Sequence, residues 1–475
     1  MRTIRIIGTL IILTFTALSA HASNYADNFG GSPMGLALGN AMTARVNDWS
    51  STYYNISGLG KSVDFPDVVS DNKKEYKNQF AIAYTWNKPE VDIDIRRTNS
   101  QTGELLATNG ASGLETGALL IGSTLDLALF YDEPKYISTG RLGLLVSLND
   151  DLALVKINDI SLQTHNFFRY GRETRALMVL IGAGFGFMDD LIGFGVGLSP
   201  SLGGEGKILA TNLTLTTEPQ SPTMEANFDF TVNAMRLVIG GYLKPGRIFP
   251  ILEGVDLGIS YREENYLYVD SFQMGTQVAV GNIDLEILAA MFDFYQPPIT
   301  RIGASYSTDA FILSGDLEYR EWSQNKMSKM QKTAYKDENG EIIKVPELDD
   351  VLVPRVGLQI NLSETTALLM GYYYEETCVS DSASKGIFNL LDNDKHVGSC
   401  GIKFRVPKVY SVPYLGWLLD GIGPALKGPL DITASYQYQL LEDRNIKKTS
   451  PTPENPNYSY GGNCHTAMLG FELNL

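Results

Sequence analysis

The chain has 475 residues with 54 acidic against 38 basic side chains, a formal net charge of −16, and three cysteines. That acidity excludes nucleic acid as a partner, and so few cysteines exclude a disulfide scaffold. Behind the N-terminal leader no run of about 20 apolar residues occurs, which excludes a helical membrane anchor; a mean hydropathy of −0.07 suits a strand-built membrane protein, whose alternating residues average out.

Residues 1–22 read as a signal peptide. Arg2 and Arg5 form a positive start, Ile6 to Leu18 is mostly apolar, and Ala20-His21-Ala22 is a small-x-small cleavage site. The chain is therefore expected to be exported. Residues 23–66 are expected to form a plug. Their centre, Gly35 to Gly60, is rich in Gly, Ala, Asn and Ser, has little charge and shows no sustained alternation, so it cannot build a core of its own. Gly35, Leu36, Gly39, Asn40, Asn47, Asp48 and Asn55 are the candidate plug or gate residues, because small residues rearrange at low cost and Asn and Asp side chains bond to surrounding groups. Gly60-Lys61-Ser62 has the ending of a phosphate loop, but Asn55 stands where the first glycine is required, so the segment reads as the end of the plug.

Residues 67–475 are expected to be all-β. Period two recurs: Phe80, Ile82, Tyr84 and Trp86 alternate with Ala81, Ala83 and Thr85, and Leu257, Ile259 and Tyr261 alternate with Asp256, Gly258, Ser260 and Arg262. About fourteen strands follow, near 78–88, 117–126, 140–149, 174–187, 191–200, 233–243, 254–270, 282–307, 310–325, 353–362, 366–376, 396–406, 429–440 and 464–475. The eighth is over-long and interrupted by Pro297-Pro298, which predicts a bulge or kink. Connections after even strands are short (188–190, 307–309, 363–365), whereas 89–116, 201–232, 326–352, 377–395 and 441–463 are long and polar. Residues 407–428 break that rule and read as a small interfacial insertion. Short turns at one end and long loops at the other point to a transmembrane antiparallel β-barrel around a lumenal plug, located in the outer membrane and in contact with its lipid. The apolar alternation of 467, 469, 471, 473 and 475 resembles the C-terminal assembly signal of such barrels.

The histidines are scattered and no Cys/His spacing suits a metal, so no metal or cofactor is expected. Nor is there a Gly-x-Ser-x-Gly elbow or another nucleophile–base pair, and the reading is of a non-enzyme. Alternation places Arg262, Arg320 and Arg355 on the lumen face, and Arg236 joins them; Lys207 is a further cation behind strand five. These are candidates to bind a ligand carboxylate. The competing reading is a ladder with Asp256, Glu264, Asp316 and Glu318 on the same face. Cys378 and Cys400 flank one external loop, where an oxidising compartment permits a disulfide.

Four stretches resemble the FadL (TodX-like) family of outer-membrane transporters for long-chain fatty acids and other hydrophobic compounds. They are Gly35-Leu36 through Asn55, similar to the family's hatch; Gly258-Ile-Ser-Tyr261-Arg262-Glu-Glu264; Ile312 through Tyr319-Arg-Glu-Trp322-Ser323-Gln324; and Arg355-Val-Gly-Leu-Gln with the strand pair that follows. Where the hatch commonly has Asn-Pro-Ala, this chain has Asn55-Ile56-Ser57. The resemblance implies a fourteen-stranded barrel closed by a hatch, diffusive uptake of a hydrophobic small molecule, most of all a long-chain fatty acid, and lateral release through an inward kink in strand three. It implies ligand collection by residues 201–232 and 271–281 and action as a monomer. A general porin for polar solutes and a non-transporting structural or adhesive barrel are the rival readings.

Overall fold

The computed structural model describes residues 29–62, 78–98, 105–109, 115–130, 136–149, 177–211, 224–267, 277–280, 283–290, 294–324, 348–380, 392–407, 428–449 and 457–475. The expected signal peptide, the plug boundaries at 23–28 and 63–66, and nearly all of the expected insertion lie outside them. Fourteen wall strands follow in chain order. They are β1 (Gln79–Thr98), β2 (Thr116–Asp126), β3 (Ile137–Asn149), β4 (Leu177–Phe187), β5 (Ile192–Thr211), β6 (Met224–Leu243), β7 (Val255–Arg262), β8 (Ile299–Ser307), β9 (Phe311–Arg320), β10 (Val351–Ser363), β11 (Thr366–Glu375), β12 (Lys395–Val406), β13 (Leu430–Ile446) and β14 (Tyr458–Asn474). Each pairs antiparallel with its neighbours, and β14 closes on β1 from Gln79↔Asn474 to Ile95↔Tyr458. Closure leaves no free edge, which a sheet needs in order to cross lipid.

Alternation decides which side chain goes where. On β1, Ile82, Tyr84 and Trp86 point outward and are exposed, while Gln79, Ala81, Ala83, Thr85 and Asn87 point into the lumen and are buried. β9 does the same with Leu313, Leu317 and Tyr319 outside and Ser314, Asp316, Glu318 and Arg320 inside. An apolar exterior around a polar interior is the pattern of a lipid-embedded barrel.

Some wall strands run further than their alternation. β1 continues to Thr98, β5 to Thr211, and β6 begins at Met224, so the expected loops 89–116 and 201–232 are in part strand. Beyond the lipid no face must be apolar, and the period fades although the backbones still pair. Short strands extend this end of the wall: Leu105–Asn109 pairs with β1, and Ile283–Ala290 pairs with Gln277–Val280 and with β5. The expected seventh and eighth strands are each shorter. Asn265–Leu267 and Phe294–Gln296 pair separately, and β8 starts only after Pro297-Pro298, neither of which has an N–H to give a ladder. The kink implied for strand three does not break its ladder. β3 pairs with β2 from Arg141 to Asn149 and with β4 up to Leu148, and its single register shift lies at Ile137/Thr139.

Residues 29–62 lie within the ring. Phe29 is buried, and buried Leu36, Leu38, Met42, Trp49, Tyr54, Ile56 and Leu59 form one cluster with inward wall residues such as Ala83, Leu120, Leu145, Leu180 and Met468. The core of this protein is therefore the contact between hatch and wall. The hatch is built from short capped pieces. α1 (Pro33–Ala37) is capped by Ser32, whose Oγ accepts from Gly35 N at 3.0 Å. Gly39 and Asn40 follow with φ of 61° each, and the left-handed backbone reverses the chain. α2 (Ser51–Tyr54) precedes a 3-10 turn over Ile56–Gly60, capped by Asn55.

Candidate functional site

Two of the attachments that hold the hatch involve buried charged wall groups. At β3 the Arg141 guanidinium, fully buried, donates from Nε to the Leu59 carbonyl (2.7 Å) and from Nη2 to the carbonyls of Asn47 (2.9 Å), Gly58 (3.0 Å) and Lys61 (2.8 Å). The 3-10 turn beside it has unpaired carbonyls at its end, and a guanidinium fork supplies donors to several of them at once. The turn presses against glycines of β4 and β5. A Cβ at Gly184 would stand 2.6 Å from the Ile56 oxygen, and one at Gly195 2.6 Å from Ile56 C and Ser57 N. Asn55 donates from Nδ2 to Thr43 O (2.8 Å) and to Gly241 O (3.1 Å), while its Oδ1 accepts from Ser57 N (3.2 Å) and Ser57 Oγ (2.7 Å). Ser57 thus supports the cap in a hatch that lacks the family's proline.

Lys61, which ends the hatch, is buried and pairs with Asp256 at 2.8 Å. Burial lowers its pKa and Asp256 works against that shift. The Tyr242 hydroxyl donates to Asp190 Oδ1 (2.5 Å) and lies 3.0 Å from Gly60 O.

The second attachment lies on β7–β10. Asp316 Oδ2 accepts from the amides of Met42 (2.9 Å) and Thr43 (2.8 Å). Ladder register sets Arg301 opposite Glu318 and Arg355 opposite Asp316. Glu318 then accepts from Arg301 Nε, from Arg320 Nε (2.6 Å) and from Arg355 Nη2 (3.1 Å), while Arg320 Nη1 also donates to Glu375 at 2.9 Å. Arg262 lies 4.8 Å from the centre of the Tyr53 ring, and Arg355 lies 4.2 Å from that of Tyr373. Arg355 also reaches hatch backbone, from Nη1 to Gly39 O at 3.3 Å. The structure thus brings Arg262, Arg320 and Arg355 together. Arg236 lies two residues along the adjacent strand from Val238, which faces Arg262, and donates to Gln296 Oε1 (2.7 Å) and Ser199 Oγ (3.3 Å). Lys207 is in β5 opposite Asn227, and its side chain lies outside the described residues.

The plug candidates divide by what they do. Gly39 N donates to Ser399 Oγ (3.1 Å), which itself donates to Ala37 O (3.0 Å). Asn40 Oδ1 accepts from Tyr54 OH (2.7 Å). Asp48 accepts from Ser50 N (2.8 Å) and Ser50 Oγ (2.5 Å). Asn47 supplies a carbonyl to Arg141, Gly35 donates to the Ser32 cap, and Leu36 packs in the core. Sequence reasoning passed over Arg141, Arg301 and Glu375. The signal for the close approach was in plain view, as glycine at every second residue over 182–186 and 193–197.

The disulfide expectation is corrected. No disulfide joins Cys378 to Cys400. Cys378 is buried beyond the end of β11, whereas Cys400 sits on the outer face of β12 opposite Met370. Glu375↔Lys395 marks the loop end of that pair, so Cys400 is about 16 Å further along the wall at a strand's rise per residue, out of reach of a bridge.

Among solved structures the chain resembles a Pseudomonas aeruginosa FadL homologue, with a TM-score of 0.55 and 14% identity, covering 93% of this chain and 98% of that one. The fold is that of a FadL-like barrel. The P. putida toluene transporter TodX shares the fold at a TM-score of 0.50 and 11% identity, over 96% of this chain and 99% of that one. Among characterised sequences it is similar to alkane uptake protein A of Marinobacter nauticus, 21% identical over 459 residues, which are 94% of this chain and 90% of the relative. No family model matches the chain. The FadL-like wall explains the apolar exterior, and its lumen accommodates the polar network without exposing charge to lipid.

Proposed function

We propose that this chain is an outer-membrane transporter giving passive uptake of hydrophobic molecules, not an enzyme. One observation carries the reading: a fourteen-stranded wall wide enough for a water-filled pore has a buried hatch fixed inside it, which disfavours a general porin for polar solutes. Similarity to an alkane uptake protein over nearly the whole length supports it. Neutral hydrocarbons are the favoured ligand class. The guanidinium groups of Arg301, Arg320 and Arg355 are already spent on Glu318 and Glu375 within the wall, so the lumen does not need a ligand carboxylate to balance them.

A second reading, long-chain fatty acids, has its own support. Arg262, Arg301, Arg320, Arg355 and Lys395 outnumber Asp316, Glu318 and Glu375 among the buried lumen groups, and a carboxylate would reduce that surplus. The test is uptake of a labelled long-chain alkane, toluene and oleate by cells expressing the full chain against empty cells. Faster entry of alkane or toluene alone supports the first reading, and faster oleate entry that falls in Arg262→Gln supports the second. If no labelled compound enters faster, the transport reading fails.

A further inference from the structure

The turn-side rim of the barrel carries apolar side chains that the wall and the hatch do not use. The β6–β7 connection is the main one, with Ile248, Phe249, Ile251 and Leu252 all exposed and Ile251 92% so. Phe130 after β2 and Met188 between β4 and β5 are 59% and 67% exposed. These connections are neighbours on the rim, because the strands they join are neighbours in the wall. Asp190 ties them together: its amide donates to Ser138 Oγ at 3.2 Å, and its carboxylate pairs with Lys244 and accepts from Tyr242. Met188, Asp189 and Asp190 all have positive φ, of 56°, 54° and 67°. Three successive left-handed residues other than glycine are unfavourable, and the bonds of Asp190 hold them.

Two further observations say what covers this surface. First, five of the seven backbone amides in residues 245–253 are bonded within the segment or to the residue before it. The amides of Arg247, Ile248, Phe249, Leu252 and Glu253 all donate within the two 3-10 turns Pro245–Arg247 and Pro250–Leu252 or to the residues leading into them, and Pro245 and Pro250 have no amide hydrogen. Such bonding lowers the cost of setting this backbone against hydrocarbon. Second, the patch continues the lipid-facing wall, because exposed Ile192 and Phe194 of β5 and Leu257 and Ile259 of β7 lead directly into it. Exposed Arg247 lies at its edge, where a guanidinium meets lipid phosphate.

We infer that the β6–β7 connection is an interfacial foot, seated in the headgroup–acyl boundary of the inner-leaflet phospholipids with Arg247 at the phosphates. Short turns of such barrels face the periplasm, which places this rim at that leaflet. The foot fixes the height and tilt of the β2–β7 sector relative to the leaflet.

The test uses the full chain folded into phosphatidylethanolamine–phosphatidylglycerol vesicles, with Cys400→Ala and Ile251→Cys, the new thiol carrying an environment-sensitive fluorophore. Ile259→Cys on the wall is the lipid-exposed reference. At an interfacial depth of about 5–10 Å, the label on Ile251→Cys loses about half its emission to nitroxides near the lipid glycerol and little to nitroxides at the tail ends. Emission untouched by any lipid nitroxide and quenched by aqueous iodide would overturn the inference and would point to a periplasmic protein partner. If Ile251→Cys prevents folding, judged by gel mobility without boiling, Phe249→Cys gives the same readout.

Discussion

The two attachments of the hatch are built on opposite principles. At β3–β5 the wall offers one buried guanidinium and a floor of glycines; all four guanidinium bonds go to hatch carbonyls, and the glycines take the Ile56–Gly60 backbone together with the Ile56 and Leu59 side chains. At β7–β10 the wall holds a dense set of charges joined to one another through Glu318, and the hatch meets it mainly through side chains: Asp316 takes two hatch amides, Asp256 pairs with Lys61, Gln359 accepts from Arg45, and Arg262 and Arg301 lie over Tyr53. The first is specific to the path of the hatch. The second is a brace for the barrel against which the hatch leans.

The strongest way to break this contrast is Glu318→Ala, which leaves Arg301, Arg320 and Arg355 around a vacated anion. A buried network losing its central partner is destabilised by about 3–5 kcal/mol. Chemical unfolding from vesicles should show this loss in the wall, and Glu318→Gln should lose less. Arg141→Met should do the reverse, with little change in the wall but four hatch carbonyls short of a donor. A cost of about 3 kcal/mol, roughly a hundred-fold in the local opening constant, should appear as faster hydrogen exchange of amides 47–61. Equal loss of protection throughout the barrel would count against separate roles.

Smaller effects sharpen the comparison. Gly195→Ala puts a methyl into the hatch backbone and should cost about 1–3 kcal/mol, whereas Gly398→Ala, with nothing within 4 Å of its Cβ, should be neutral in the same unfolding assay. Asp316→Asn keeps an acceptor for Met42 and Thr43 but makes it neutral, a loss of about 1 kcal/mol confined to exchange of those two amides. The smallest effect lies among the loops. Burial lowers the pKa of Lys448 from 10.5 to about 8. Between these values the unfolded loop holds a proton that the folded loop has lost, so local stability should rise with pH across that window and stay level below it. Lys448→Met should flatten the slope in limited proteolysis.

Much of the fold was legible because lipid and water demand opposite faces of every strand. Ile312 to Arg320 had to alternate, and its inner residues could be named without coordinates. Over 89–98 and 201–211 that demand lapses, and the strands went unread as such. In the site, Arg262, Arg320 and Arg355 were legible as lumen residues. The partners they chose were not, because Arg301 and Glu375 come from other strands and only register sets them opposite. Arg141 was missed because one arginine in a strand has no local signature, and its four acceptors are distant in sequence.

By itself, then, the sequence determined the barrel, its inside and outside, and a segment too small and irregular to fold alone. These are consequences of period and composition, which are local. The tertiary structure alone decided how the hatch is held, why glycine lies beneath it, that Cys378 and Cys400 stand apart, and that the turn-side connections share one apolar rim. Each of these depends on ring closure and strand register, which bring residues hundreds of positions apart within a few ångströms.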